Sequence, residues 1–511
     1  MIAICKSLGL YGLDAFVIDV ETDVSLGINS FDIVGLPDTA VKEAKDRVRS
    51  AMINCGYEVP VGKITVNLAP ADVRKEGPIY DLPILVAILQ LSNQLVPVKD
   101  DCVFLGELSL GGEVKRINGV LPMALKAAQL GYKSLFVPLE NAQEASVAYG
   151  IDVYPVKNIK QLSDHLSNKK KINKAVHIKN NDLENISRYA PDFSEVKGQE
   201  EVKRAIEVAA AGGHNILLVG SPGSGKSMIA KRIPSILPDM TFDEIIETTK
   251  IHSIAGELKG SNLLVETRPF RKPHHTISSA GLSGGCAVPK PGEISLAHNG
   301  VLFLDEFPEF SRSTLEVLRQ PIEDGVVTIA RVIGSLTYPC NVMLVAAMNP
   351  CICGYYGHPT RKCTCSKSSV DRYLSRISGP LLDRMDLHIE VPPVDFESLS
   401  STEVTESSKT IKERINKARK LQQERYKGTN VTSNAKISPS LMKEFCPIDE
   451  KASKMLKRAF DNLSLSARAY DRIIKVARTI ADLEGAEVIR SEHISEAIQY
   501  RSLDRKYWGN K

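Results

Sequence analysis

Gly220-Ser-Pro-Gly-Ser-Gly225-Lys226-Ser227 follows the apolar run Ile216-Leu-Leu-Val219 and precedes the helix-like stretch Met228-Ile-Ala-Lys-Arg232. This is G-x-x-x-x-G-K-[ST] in the strand–loop–helix setting that a phosphate-binding loop needs. Glycine lets consecutive backbone N–H groups curl round a polyphosphate where side chains would obstruct them. In this reading Gly220, Ser221, Pro222, Gly223, Ser224, Gly225, Lys226 and Ser227 line the nucleotide. Lys226 would reach the β- and γ-phosphates, and Ser227 would ligate Mg²⁺. The alternative is a Gly-Pro-Ser turn that happens to fit, and the flanking strand and helix weigh against it. The expectation is a protein that binds ATP or GTP.

Working downstream, Val301-Leu-Phe-Leu304 runs into Asp305 and Glu306. Four apolar residues ending in two acids read as a buried strand that delivers carboxylates to the mouth of a parallel sheet. Asp305 would hold the Mg²⁺ shell, and Glu306 would polarise the attacking water. Many strands end in acids; it is the phosphate loop upstream that makes this pair informative. A third strand, Val342 to Met348, ends at Asn349, whose amide could touch both the γ-phosphate and the water. Next come Leu381-Leu-Asp-Arg384-Met-Asp386, just before the strand Leu387–Val391, and Ser466-Ala-Arg468-Ala-Tyr-Asp-Arg472, which opens a helix. An arginine stays charged and bridges phosphate oxygens, although a surface salt bridge is the default reading of either Arg384 or Arg468 alone.

Phosphate loop, Asp-Glu strand, Asn-tipped strand, arginine and helical segment with a second arginine, in that order, resemble AAA+ ATPases over roughly residues 193–505. Gly281-Leu-Ser-Gly-Gly285, Gly292-Glu-Ile-Ser-Leu-Ala-His298-Asn-Gly300 and Ser375 to Arg384 are similar to the magnesium-chelatase-like branch. The resemblance implies that Arg384 is a finger supplied to a neighbouring subunit's ATP and that Arg468 is the sensor of a helical lid. It therefore implies a ring, a hexamer.

Between the phosphate loop and Asp305 lies Arg268-Pro-Phe-Arg271-Lys272-Pro-His274-His275. After Asp305, Val326–Val332 and Ser335–Tyr338 around Gly334 read as a β-hairpin with Arg331 near its turn. Such insertions line the central channel in the branch resembled, which makes Arg271, Lys272 and Arg331 candidate DNA contacts. An ordinary exposed hairpin with solvated charges is the alternative. His274 and His275 are read as packing or polar contacts.

Cys351-Ile-Cys353 and Cys363-Thr-Cys365 form C-x-C-x₉-C-x-C directly after Asn349-Pro350. Four clustered thiolates suit a tetrahedral structural Zn²⁺, and four reduced thiols in a loop are the alternative. Arg361 and Lys362, held between the pairs with Tyr355 and Tyr356, would form a basic, aromatic finger able to stack on bases or meet phosphates.

Ile64 to Pro78, Leu105 to Val114 and Gly131 to Pro138 resemble the proteolytic domain of Lon. Lon-type cleavage needs a serine activated by a lysine. After Gly77-Pro78, where the family places its serine, this chain has Ile79-Tyr80-Asp81. After Gly119-Val120, where the lysine belongs, it has Leu121-Pro122-Met123. The resemblance implies a Lon-like fold without the protease.

Length and composition frame these readings. The 511 residues carry a net charge of +4, which permits nucleic acid as a partner without demanding it. No apolar stretch is long enough to span a bilayer, and Asp14 and Asp19 interrupt any signal-like region, so a cytoplasmic protein is expected. The expected organisation is a Lon-protease-like α+β domain (1–165), a linker (166–192), an AAA+ core with a parallel αβα sheet, helix insertion, hairpin and Cys₄ insertion (193–395), and a connector with a helical lid (396–511). Within the last region, the basic Lys409–Lys427 helix is read as a solvated connector. The whole resembles the YifB/ComM family, which implies an ATP-driven ring acting on branched DNA in recombination and natural transformation. A magnesium-chelatase-type or protein-remodelling ATPase is the alternative.

Overall fold

The apolar runs become the strands of two separate sheets in the computed structural model, which describes residues 2–177, 191–258, 264–285, 290–331, 334–394, 405–463 and 466–508. The chain divides into two units: Met1–Glu184 with Ile245–Val265, and Asn185–Glu244 with Glu266–Lys511.

The first unit is built on a mixed seven-stranded sheet. Its strands are β1 (Ile2–Tyr11), β2 (Asp14–Ser25), β3 (Ser30–Val34), β4 (Lys63–Ala69) and β5 (Cys102–Phe104). A two-stranded ribbon of β6 (Glu107–Leu108) and β7 (Val114–Lys115) stands apart, and β8 (Ser134–Pro138) and β9 (Asp152–Val156) complete the set. The sheet order is β3-β4-β2-β1-β5-β8-β9. Against β1 and β2 packs the helix Asp81–Leu91, whose apolar residues from Leu82 to Leu89 are all buried. A helix apolar on every side belongs in the centre of a core. The segment Ile245–Val265 completes this unit: Gly119 N–H donates to Ser253 O at 3.2 Å, and Ser253 Oγ donates to the buried Glu144 carboxylate.

The second unit holds a wholly parallel five-stranded sheet, built from β10 (Ile216–Val219), β11 (Phe270–Arg271), β12 (Val301–Leu304), β15 (Met343–Met348) and β16 (Leu387–Glu390). The order is β11-β12-β15-β10-β16. Every residue of β10, β12 and β15 is buried, as expected for parallel strands covered on both faces. Between β12 and β15 the hairpin of β13 (Val326–Arg331) and β14 (Gly334–Pro339) forms as the sequence indicates.

Helices Ser408–Arg425, Glu450–Leu463, Ala467–Glu484, Ser491–Gln499 and Ser502–Trp508 follow the sheet. The first of these corrects the sequence reading, for it is not a solvated connector. Ile411, Ile415, Ala418 and Gln422 fall on one face and are buried against helices Glu200–Gly212, Ile233–Ile236 and Ala467–Glu484. Charges on the remaining faces masked that stripe; the spacing of four, three and four residues is the helical signature. Among the described residues, no helix is long and apolar enough to cross a membrane.

Candidate nucleotide site

Parallel strands end at a common edge, and there the polar residues that follow β10, β12 and β15 meet. The loop Gly220–Ser227 turns back on itself through Gly223 (φ 79°) and Gly225 (φ 89°), a left-handed backbone that favours glycine. Lys226 is only 8% exposed, and its Nζ lies inside the loop. It donates to Gly220 O and Ser221 O at 2.8 Å each and to Asn349 Oδ1 at 3.2 Å. Burial pulls this ammonium down to about 8, against the opposing charge of Asp305.

Ser227 Oγ donates to Asp305 Oδ2 at 2.7 Å, placing a hydroxyl beside a carboxylate, the oxygen donor set a hard divalent cation prefers. Burial would raise the Asp305 carboxyl, yet hydrogen bonds from Lys272 and Ser227 outweigh it and hold the group below the usual range. Glu306 follows in the left-handed region (φ 53°), a backbone that costs a non-glycine residue about 1 kcal/mol or more and aims its carboxylate away from the strand line. Its Oε2 lies 3.2 Å from His275 Nδ1, and the side chain is 59% exposed. The loop, Asp305, Glu306 and Asn349 therefore form one cluster, with chemistry suited to holding a metal–polyphosphate and activating water beside it.

Sequence reasoning missed the part played here by three residues, Lys272, His275 and Gln199. Lys272 Nζ donates to Asp305 Oδ2 at 2.8 Å, and Arg271 makes a two-pronged pair with Glu293 at 2.7 Å on both prongs. Both side chains, read from the sequence as candidate DNA contacts, are engaged in ion pairs within the chain. The reason is tertiary: β11 pairs with β12 in the register Phe270↔Val301 and Arg271↔Leu302, so the chain leaving β11 passes beside Asp305. His275 arrives at Glu306 by the same route. The third is Gln199, whose Nε2 donates to Ser224 O at 3.0 Å and Pro392 O at 2.7 Å and so props the loop from behind. Its φ of 153° marks a forced turn, and Gly198-Gln199 before a helix was the only trace of it in the sequence.

Arg384 lies away from this edge. Arg384 precedes β16 and is next to Asn215, which precedes β10; Asn215 Nδ2 donates to Arg384 O at 3.1 Å. That is the N-terminal edge of the sheet, opposite the phosphate loop. There the Arg384 guanidinium pairs with Glu323 and donates to Pro380 O at 2.7 Å. The Glu323 carboxyl is held low first by the Arg384 hydrogen bond, with further contributions from the charges of Arg468 and Arg472. Arg468 is exposed and lies at the start of the helix Ala467–Glu484, one turn before the Arg472 that pairs with Asp386. Beneath them Asp386 accepts from Arg472 at 3.0 Å and from the Asn215 N–H at 3.0 Å, and lies 3.4 Å from His214 Nδ1.

The four cysteine sulfurs all lie within 4.8 Å of one another. Cys351 and Cys353 are 3.3 Å apart, Cys351 and Cys363 3.7 Å, and Cys353 and Cys363 3.5 Å. A tetrahedron with Zn–S bonds of about 2.3 Å has edges of about 3.8 Å, so the set fits that metal. Arg361 stacks on Tyr355, its guanidinium 5.2 Å from the ring centre, with Nη1 donating to the phenol at 2.8 Å. Lys362 is exposed. Arg331 ends β13 beside the hairpin turn, and its side chain lies outside the described residues.

Comparison with known proteins covers most of the chain. The family described as magnesium chelatase, subunit ChlI, matches residues 192–399; related descriptions, subunit ChlI of Mg-chelatase and magnesium chelatase, subunit ChlI C-terminal, match 20–141 and 405–501. YifB of Escherichia coli is 42% identical over 99% of this chain and 98% of its own length. The competence protein ComM of Haemophilus influenzae is 42% identical over the same shares. Lon protease 1 of Hydrogenovibrio crunogenus is 34% identical over 95 residues, covering 18% of this chain and 12% of that protein.

Proposed function

The chain belongs to the family of YifB and ComM, and from that premise we propose that it is an ATP-hydrolysing motor of the AAA+ class that acts on DNA in competence and recombination. The observation that carries the reading is the convergence of Lys226, Ser227, Asp305, Glu306 and Asn349 at one edge of a parallel sheet. The backbone amides of Gly220–Ser227 cradle the phosphates and Lys226 neutralises them. Mg²⁺, when bound, offsets charge on the β- and γ-phosphates; Ser227 and Asp305 are the residues that would hold it. Glu306 takes the proton from the attacking water, and Asn349, already bonded to Lys226, orients that water and reads the phosphate.

Arg384 and Arg468 complete the site of another copy. Arg384 lies at the edge away from its own phosphate loop, which supports its acting on a neighbouring copy's nucleotide, with Arg468 beside it. A closed ring answers that need, and the hexamer is the assembly the family implies. Within the ring, the exposed Arg361, Lys362 and the hairpin carrying Arg331 are the contacts offered to DNA. Arg271 and Lys272 are committed to Glu293 and Asp305. A structural Zn²⁺ at the four cysteines completes the cofactors.

The N-terminal unit is a Lon-like domain that no longer cleaves. Ile79, Tyr80, Leu121 and Met123, at the places of nucleophile and base, are buried and carry neither serine nor lysine. What supports the DNA reading over metal insertion into a porphyrin is the pairing of that unit with the Cys₄ insertion. The deciding experiment measures ATPase rate and branch migration on a synthetic four-way or three-strand junction, wild type beside Lys226→Ala. DNA-stimulated hydrolysis with junction movement by wild type alone is expected. Hydrolysis indifferent to DNA would refute the DNA reading and favour a chelatase-type or protein-remodelling ATPase.

A further inference from the structure

The cysteine cluster is joined to the nucleotide site at two points. Asn349, which accepts from Lys226 Nζ, lies two residues before Cys351, which is fully buried. Gly354, in the turn between the cysteine pairs, closes that turn by donating its N–H to Cys351 O at 3.0 Å and adopts φ 84°. A Cβ on Gly354 would lie 2.4 Å from Pro222 Cδ and 2.5 Å from Pro222 Cγ, so the turn is in hard contact with the phosphate loop itself.

From Cys351 to Ser366 the chain contains no helix or strand. A segment of that length made only of turns has little regular backbone bonding; Tyr355, His358 and Arg361 bond to one another at its tip, and the four convergent thiols are what would tie its two ends together. On its outer side Tyr356 meets Tyr507, ring centres 6.3 Å apart. That single aromatic contact is a weak substitute for a metal.

We propose that a Zn²⁺ bound by Cys351, Cys353, Cys363 and Cys365 sets the position of the phosphate loop through Gly354 and Pro222, so that nucleotide affinity depends on the metal. The proposal rests on the ATP and zinc readings above and adds the coupling between them. The four thiols bind as thiolates and release their protons to solvent as the metal enters. With the metal in place, the Cys351–Gly354 turn is rigid and blocks Pro222 from moving outward, while Asn349 is held from the other side. Without it, the turn relaxes and the loop loses its backing.

The test uses full-length protein purified without chelator. Zinc content is measured by mass spectrometry, and the affinity for a fluorescent ATP analogue is compared in protein as purified, stripped with a zinc chelator, and reloaded with Zn²⁺. One zinc per chain is expected, with affinity falling about tenfold or more on stripping, because displacements near 1 Å are costly in such sites, and returning on reloading. Cys363→Ser, on the more exposed pair, should copy the stripped protein. Gly354→Ala should keep its zinc yet bind the analogue more weakly, which global unfolding could not mimic. Stoichiometric zinc whose removal changes affinity less than about twofold would overturn the coupling. Absence of zinc from a protein that binds the analogue normally would overturn the metal site. Lys226→Ala stands apart as the control on the ATP reading: analogue binding undiminished in that variant would sink the nucleotide site, whatever the zinc result.

Discussion

Raising the pH from about 7 to about 9 is expected to weaken ATP binding about tenfold, because Lys226 loses its proton near 8 in the nucleotide-free protein. The magnitude follows from the burial of that ammonium. If only the protonated form grips the phosphates, apparent Kd scales as one plus ten to the power of pH minus 8. The protonated fraction then drops from about nine-tenths at pH 7 to about one-tenth at pH 9, or about 1.4 kcal/mol of binding. Bound phosphate pushes the lysine pKa back up, so binding takes up a proton, and that uptake should itself be measurable at pH 8.5. Calorimetric titration of Glu306→Gln protein with Mg-ATP across this range isolates binding from turnover. Lys226→Ala should bind weakly with a flat profile. A Kd for the Lys226-containing protein that stays constant to about pH 9.5 would refute the assignment of the buried ammonium as the phosphate partner. Folding stability of the nucleotide-free protein runs the other way. A lysine whose native pKa lies below its unfolded value costs stability while both states are protonated, and stability rises as pH climbs from about 8 towards 10.4.

Glu306→Gln should bind ATP with near-normal affinity and lose hydrolysis by about 10²- to 10⁴-fold, read by phosphate release; normal turnover would remove Glu306 from the role of base. Arg384→Ala and Lys226→Ala should each be inactive, yet an equimolar mixture should recover measurable ATPase, because some neighbours then pair an intact loop with an intact arginine. Failure to recover, in a mixture shown to co-assemble, would argue against an arginine supplied between copies. Asp386→Ala should lower stability by about 2–3 kcal/mol in chemical denaturation, since it leaves the half-buried Arg472 charge and the Asn215 N–H without their acceptor. Burial pushes the Asp386 carboxyl up, but the Arg472 charge and the bonds from His214 and Asn215 win and hold it below the usual range. Its contribution is thus present above about pH 4 and lost on further acidification, a dependence the variant should lack.

Much of the cluster of Lys226, Ser227, Asp305 and Asn349 was legible because each of its parts announces itself locally. A short apolar run that stops at a glycine-rich loop or a polar residue says both strand and site: β10 stops at Gly220, β12 at Asp305 and β15 at Asn349. What escaped was everything that depends on which strand neighbours which. Lys272 and His275 look like a basic surface stretch until β11 is laid beside β12. The Ser408–Arg425 helix looked solvated because its charged residues outnumber the five that are buried. The separation of Arg384 from its own loop is a property of strand ends in a folded sheet. Contact between Gly354 and Pro222 joins positions far apart in sequence and leaves no local pattern at all.

The first unit is discontinuous: Met1–Glu184 is completed by Ile245–Val265, which supplies Ser253 to Gly119 and Glu144. On the ribosome, that unit must therefore wait. At about 5–20 residues per second, the roughly sixty intervening residues take several seconds to emerge, during which the face meant for Ile245–Val265 is uncovered. By order of synthesis, the N-terminal unit is completed only after the phosphate loop has been made. A chain cut at the apparent domain boundary would lack that segment, and any attempt to express the unit alone should carry Ile245–Val265 with it.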